Sequence, residues 1–313
     1  MSKKIAMVFP GQGSQAIGML KELALTFPSV IETFREASEV LNYDLWKLIQ
    51  EGPVEIINQT AHTQPALLTA SVALWRVWCD HQNQQPSLLA GHSLGEYSAL
   101  VCAQSINFTD AVKLVAERGR FMQEAVPEGQ GAMAALVGLD NKQVEEICAQ
   151  AAQGKILAPA NYNALSQVVI AGESEAVNRA IHLAQQAGAK LAKRLPVSVP
   201  SHCALMQVAA ERLSAFLQNI SCVVPIIPIV NNVDVITQKN PGLIKDALIR
   251  QLYNPVRWVE IIQVMASQGI EIIIECGPGK VLAGLNKRIL PAIPTLNIND
   301  LASLNQALTE VNN

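Results

Sequence analysis

The sequence predicts an α/β protein: a mostly parallel sheet covered by helices, with a small ferredoxin-like domain inserted into the larger one. Three observations predict it. Short β-rich runs alternate with helix-length amphipathic segments, the pattern of parallel strands joined by helical crossovers. A strand, a glycine turn and a helix recur after Phe9, Ala90 and Glu275. From about 127 to 197 the order changes to β-α-β-β-α-β, the ferredoxin-like arrangement. The chain therefore divides into a large domain of residues 1–126 and 198–313 and a small one of 127–197. The cleft between them is the default place for a substrate.

Each element has its local reason. Ile5 to Phe9 is a run of five apolar residues ended by Pro-Gly, hence a first strand. Val30, Phe34, Ala37 and Leu41 recur at helical spacing, so 30–41 is a helix with one apolar stripe. "PALLTASVALWRVWC", Pro65 to Cys79, is interrupted by Arg76 and is shorter than a bilayer crossing, so it reads as a helix buried within the protein. Ser87 to Ala90 is a short strand feeding "GHSLG", and Glu96 to Ala103 continues as helix. "DAVKLVAERGRFMQ" is a further helix. The insert opens on the turn-rich "PEGQG"; "AMAALVGL" is strand-like, and Asp140 with Gln143 has capping-box spacing. "ILAPANYN", "QVVIAG", a helix from about Ser174 to Gln186 and "KLAKRLPV" complete it. Last, "IEIIIECGPGKVLAGL" is an apolar strand, a Gly-Pro-Gly turn and a helix.

Composition excludes several classes. The 313 residues are 50% hydrophobic and 16% charged, ample for a large core, and a net charge of −3 offers no nucleic-acid surface. The six cysteines form no Cys-x-x-Cys pair. They read as small buried hydrophobes in a reducing cytoplasm rather than as metal ligands. The N-terminus reaches Pro-Gly after five apolar positions, too few for a signal-peptide core. The expectation is a cytoplasmic protein with no membrane partner and no metal.

Two glycine motifs compete for the chemistry. "GQGSQA", Gly11 to Ala16, fits the dinucleotide pattern after a strand. That pattern needs an acidic residue about 20 positions on, at the end of a second strand; the candidate Glu32 sits inside a helix-patterned stretch. The loop instead offers backbone N–H groups, starting with Gln12 and Gly13. "GHSLG" fits G-x-S-x-G in the context that motif demands, a strand, a sharp turn and a helix. Ser93 is then a nucleophile lifted out of the turn; the bland alternative is a small residue filling it.

A serine needs a base, and the chain has five histidines. His81 lies in polar "CDHQNQQP", His182 in the insert's second helix and His62 at a helix entrance. His92 adjoins Ser93 but points elsewhere on a sharp turn, where its functional reading is contact with a ligand. His202 follows two prolines at the return from the insert. Spacing alone leaves it either facing the cleft or satisfied in the core. The acid expected between serine and histidine in common hydrolases is missing, because Asp110 and Asp140 look engaged at helix starts. A backbone carbonyl is one acceptor that could orient the ring instead, and the ordinary hydrolase reading is weakened. From residue types alone, Arg118 is a solvated residue no different from Arg120.

The whole chain resembles the malonyl-CoA:acyl-carrier-protein transacylase family. The matching blocks are "FPGQGSQ" at 9–15, "TQPALL" at 63–68, "GHSLGEYSAL" at 91–100 and Arg118 with "MQ" at 122–123. "QVVIAG" at 167–172, "VPSHCALM" at 199–206, "QLYNPVRW" at 251–258 and "GPGKVL" at 277–282 continue the match. The resemblance implies an α/β-hydrolase-like large domain with a ferredoxin-like insert. It also implies Ser93 as acyl-carrying nucleophile, His202 as its base and the N–H groups of Gln12 and Leu94 as oxyanion hole. The Gln251 main-chain carbonyl would orient His202, and Arg118 would hold the malonyl carboxylate. No cofactor is implied; a CoA thioester is the substrate, malonyl-CoA and acyl carrier protein are the partners, and the reaction is ping-pong, supplying fatty-acid synthesis. A polyketide-type acyltransferase shares these blocks. A serine thioesterase or esterase shares the elbow, and a non-catalytic carrier-binding module is a further class. Departures are "ALS" after Asn163, where the family has a small residue and Pro-Gly, and His62 in place of an aromatic. "KLAKR", Lys190 to Arg194, and "NKR", Asn286 to Arg288, are basic runs that could meet an acidic carrier or be solvated faces.

Overall fold

Ile5–Phe9 (β1) is wholly buried because it is central in a sheet covered on both faces. Ile5, Met7 and Phe9 face one core cluster, with the helix Thr60–His81, while Ala6 and Val8 face a second, with Trp258 and Ile261. This is the period-two alternation of a strand. The computed structural model describes residues 3–312 except 83 and 198. Residue 198, where the sequence analysis resumes the large domain, lies outside the described residues.

The remaining strands are β2 (Leu88–Gly91), β3 (Gly131–Val137), β4 (Leu157–Ala164), β5 (Gln167–Glu173), β6 (Leu191–Arg194), β7 (Ile229–Val230), β8 (Ile272–Glu275) and β9 (Thr295–Asn297). The first sheet has the order β7-β2-β1-β8-β9, and every pairing in it is parallel. Phe9 lies opposite Gly91 and Val8 opposite Glu275. The carboxyl ends of three strands are therefore level, and the turns that follow them meet at one edge, where open parallel sheets bind ligands.

The second sheet, β4-β5-β3-β6, is antiparallel throughout. Helices Asn141–Ala152 and Ser174–Gln186 cover one face, through Val144, Ile147, Val177 and Ala180 against Ala134, Leu136 and Ile170. The Asp140–Gln143 capping box starts the first of these. The other face, with Met133, Val169 and Ala171, packs with Cys203 toward the rest of the chain. Val256 donates to the carbonyl of Ala160 and accepts from the N–H of Tyr162, both at 2.9 Å, which ties β4 to the segment after residue 251.

Helix ends follow elementary rules. The helix read as 30–41 begins at Pro28, where a proline in the first turn loses no hydrogen bond. Thr60–His81 is apolar almost all round, with 16 buried residues, because the first sheet and neighbouring helices enclose it. Among the described residues no helix is long and apolar enough to cross a membrane.

Candidate active site

β2 ends at Gly91 and the next helix starts at Gly95, so three residues reverse the chain. The crowding there permits only glycine at both ends. A Cβ on Gly91 would lie 1.8 Å from the carbonyl carbon of Gly95, and one on Gly95 would lie 2.0 Å from the carbonyl oxygen of Phe9. Between them Ser93 adopts φ +53°, the left-handed region, at a cost of roughly 1–3 kcal/mol. Asn232, fully buried, holds it there: its Oδ1 accepts the Ser93 N–H at 2.7 Å and its Nδ2 donates to the Gly91 carbonyl at 2.7 Å.

His202 meets the serine. Its Nε2 is 2.8 Å from Ser93 Oγ, and its Nδ1 is 2.8 Å from the main-chain carbonyl of Gln251. A carbonyl only accepts, so Nδ1 carries the proton and Nε2 is left to accept from the serine hydroxyl. The His202 N–H donates to the Leu252 carbonyl at 2.9 Å, so one short segment fixes both ring and backbone. Burial, and then the charge of Arg118, pull the imidazole down to about 3, which keeps it neutral.

Arg118 is 1% exposed, not solvated, and this corrects the reading from residue type alone. Arg120 is the surface residue and pairs with Glu117 and Glu124. Arg118 donates to Gln64 Oε1 at 2.8 Å and Gln251 Oε1 at 2.9 Å, reaches Ser93 Oγ at 3.4 Å, and stands over the Tyr97 ring at 5.2 Å. Among the described residues it has no carboxylate partner within salt-bridge distance. The sequence did hold a sign of this. Arg118 falls four residues after Leu114 and four before Met122, on the apolar stripe of Phe108–Ala125.

A cavity of about 190 Å³ opens onto these groups. Gln12, His92, Ser93, Leu94, Arg118 and His202 line one side; Met133, Asn161, Asn163 and Val169 of the second sheet line the other. The backbone N–H groups of Gln12 and Leu94 have no acceptor among the described residues, whereas that of Gly13 is taken by Gln15 Oε1 at 2.8 Å. His92 points away from Ser93: its Nε2 is 2.7 Å from Asn163 Oδ1, its ring centroid is 5.4 Å from that of Trp258, and burial lowers its pKa. Gln251 is fully buried just behind the cavity wall. The seven residues singled out in the sequence thus come together.

Others stay outside. His62 bonds the Tyr43 hydroxyl at 3.2 Å, and His81 is exposed at a helix end. Glu32 is exposed on the helix Pro28–Leu41 and does not stand at a strand end. Asn286 accepts from Trp258 Nε1 at 2.9 Å and is buried, so the run Asn286 to Arg288 is only partly a surface. Lys190 to Arg194 largely forms the edge strand β6 and is mostly exposed. Sequence reasoning missed Asn232, Gln64 and Asn163, since amides at long separations leave no local pattern, and Glu96, three residues after Ser93, because no motif assigns that position a role. Among the described residues no three His, Cys, Asp or Glu side chains gather as metal ligands would.

The chain matches the acyl transferase domain family over residues 6–294. It is 56% identical over 307 residues to the malonyl CoA-acyl carrier protein transacylase of Salmonella typhimurium, covering 98% of this chain and 99% of that protein. Against the enzyme of the same name from Bacillus subtilis the identity is 44%, covering 97% and 96%. The structure of the malonyl CoA-acyl carrier protein transacylase from Coxiella burnetii is similar with a TM-score of 0.99 at 51% identity, covering 100% of this chain and 99% of that one. A malonyl-transacylase solved in complex with its type II PKS acyl-carrier protein is similar with a TM-score of 0.97 at 56% identity, covering 98% and 100%.

Proposed function

This chain belongs to the acyl transferase domain family and moves malonyl groups from malonyl-CoA to acyl carrier protein, and we propose that it does so through an ester on Ser93. Ser93 Oγ attacks the thioester carbonyl carbon while His202 Nε2 takes its proton. The N–H groups of Gln12 and Leu94 meet the negative oxygen. The tetrahedral intermediate expels CoA as thiolate, which takes the proton back from His202. The phosphopantetheine thiol of the carrier then gives its proton to His202 and attacks the ester; the departing Ser93 oxygen takes that proton back, which restores the serine hydroxyl and the neutral imidazole. The Gln251 carbonyl holds the imidazole in the tautomer both steps need. Base and oxyanion donors are each worth about 10²- to 10³-fold in rate.

Arg118 selects the acyl group. A guanidinium binds a carboxylate through two parallel charge-assisted hydrogen bonds. Its partners in the free enzyme are neutral amides, so its charge is available to the malonyl carboxylate. That pairing also offsets the Arg118 charge when His202 becomes cationic. His92 closes the acyl pocket beside Asn163.

The supporting fold reading is an α/β-hydrolase-like part, residues 1–126 and 198–313, carrying a ferredoxin-like insert, 127–197; the strand-elbow-helix order and the β-α-β-β-α-β order support it. No cofactor takes part; the CoA thioester is the substrate, and the place of action is the cytoplasm, without membrane or nucleic-acid partner. A polyketide carrier is a second acceptor, favoured by the likeness to a malonyl-transacylase bound to such a carrier.

The single observation that carries the proposal is the line Ser93 Oγ, His202, Gln251 carbonyl, with both links at 2.8 Å, beside a buried arginine. Intact-protein mass spectrometry after mixing with malonyl-CoA should show one malonyl group, on the Ser93 peptide. Its absence under rapid quenching, or transfer by Ser93→Ala, would overturn the scheme.

A further inference from the structure

Glu96 is buried at 3% exposure directly behind the nucleophile, and none of the steps above uses it. A carboxylate placed there without partners would be costly. Its Oε2 has two: the Asn232 N–H at 3.1 Å and Gln251 Nε2 at 2.8 Å. Gln251 Nε2 also donates to the Ser93 carbonyl at 3.0 Å and approaches Asn232 Oδ1 at 3.4 Å. Every group on that side of the amide is an acceptor. On the opposite side stands a cation, Arg118, which donates to Gln251 Oε1.

The amide of Gln251 therefore has one workable orientation. Turned over, it would set its NH₂ against the guanidinium and its oxygen against a carboxylate, a carbonyl and an amide oxygen. Of the three acceptors, Glu96 Oε2 makes the shortest bond, 2.8 Å against 3.0 Å and 3.4 Å. We propose that Glu96 is a positioning residue for the acyl selector: it fixes the Gln251 amide, which aims Arg118 at the substrate carboxylate. Burial pushes the Glu96 carboxyl up to about 7. A proton on Oε1 still leaves Oε2 an acceptor, so the role is one of hydrogen-bond geometry and survives neutralisation.

This inference rests on the assignment of Arg118 to the malonyl carboxylate, and the test separates the two. Transfer rates from malonyl-CoA and acetyl-CoA to the carrier protein are measured for the full chain and for Glu96→Ala, Glu96→Asp and Glu96→Gln. Ala removes the acceptor, and Asp withdraws it by one methylene. Each should lower the malonyl-to-acetyl ratio of kcat/KM by about tenfold or more, the order expected for one hydrogen bond to a charged network. The loss should sit mainly in the malonyl KM. Gln supplies a neutral acceptor of the same length and should keep the ratio within about threefold. Should Ala not remain folded at assay temperature, Asp carries the same expectation. Equal losses for both acyl groups would make Glu96 merely structural, and a wild-type ratio in Asp, or a Gln variant as poor as Ala, would overturn the proposal. A wild-type enzyme with no malonyl preference, or an Arg118→Ala variant that keeps it, would instead remove the Arg118 assignment.

Discussion

At the scale of single residues, the site is governed by what burial does to charge. Arg118 is a desolvated cation whose partners are neutral, so removing it leaves the malonyl carboxylate without its charge partner. Arg118→Ala should cut kcat/KM for malonyl transfer by at least about 10²-fold and acetyl transfer far less; equal loss for both would refute the pairing. His202 gives a pH prediction. The working form is neutral, and burial with Arg118 lowers its pKa to about 3, so the free enzyme keeps its base well below the ordinary histidine range. The sign is that activity is lost only as pH falls toward that lowered value. At malonyl-CoA well below KM, where the rate reports the free enzyme, Ser93 acylation at pH 5.5 should retain at least about a third of its rate at pH 7.5, by rapid-quench mass spectrometry. A titration centred near 6.5 would contradict the lowered value. Ser93 was legible because motif and context fix it; His202 was not, since spacing alone left it facing the cleft or satisfied in the core, and only the family resemblance made it the base. The environment of Arg118 was legible only as a charge on an apolar stripe, and Asn232 not at all, since one asparagine 139 positions from the serine carries no local pattern.

Elements are limited by how closely their backbones pass. Gly95 sits where its helix touches the carbonyl of Phe9, and the approach of 2.0 Å that a Cβ would make is to backbone that cannot yield. Gly95→Ala should cost more than about 4 kcal/mol or abolish soluble folded protein, measurable as loss of the cooperative melt. Gly284 is the counter-case. It lies inside the helix Val281–Ile289 with nothing within 4 Å of a built Cβ. Gly284→Ala should stabilise by about 0.5–1 kcal/mol and raise the melting temperature by roughly 1–3 °C; a lowered melting point would show strain the backbone does not reveal. The sequence displays glycines in both places and cannot say which is crowded, because the atom that matters at Gly95 belongs to β1, 86 residues earlier. Strand and helix order was readable for β1, β2, β8 and the stretch 127–197, whereas β7, two residues long, and β9, Thr-Leu-Asn, are too short to show a period. The pairing order β7-β2-β1-β8-β9 was not readable, because an apolar run such as β1, β2 or β8 carries no address for its neighbour.

Over the whole molecule, two sheets of opposite character share one cavity. The parallel sheet brings the elbow, the Gln12 loop and the Glu275 turn to one edge. The antiparallel sheet turns its second face, with Met133 and Val169, across from them. The space left is about 190 Å³, and among the described residues Ser93 is the nucleophile there in contact with a base. CoA and the carrier both bring their thiol on a pantetheine arm, so both must reach the same serine along the same path and cannot do so together. CoA has to leave before the carrier thiol enters. Initial rates at varied malonyl-CoA and carrier concentrations should therefore give parallel double-reciprocal lines, with free CoA competing against the carrier. Without carrier, one CoA per chain should be released in a burst, followed by a far slower phase. Intersecting lines would require a ternary complex and would overturn the single shared path. A burst followed by undiminished CoA release would mean that water, rather than a thiol, is the natural acceptor.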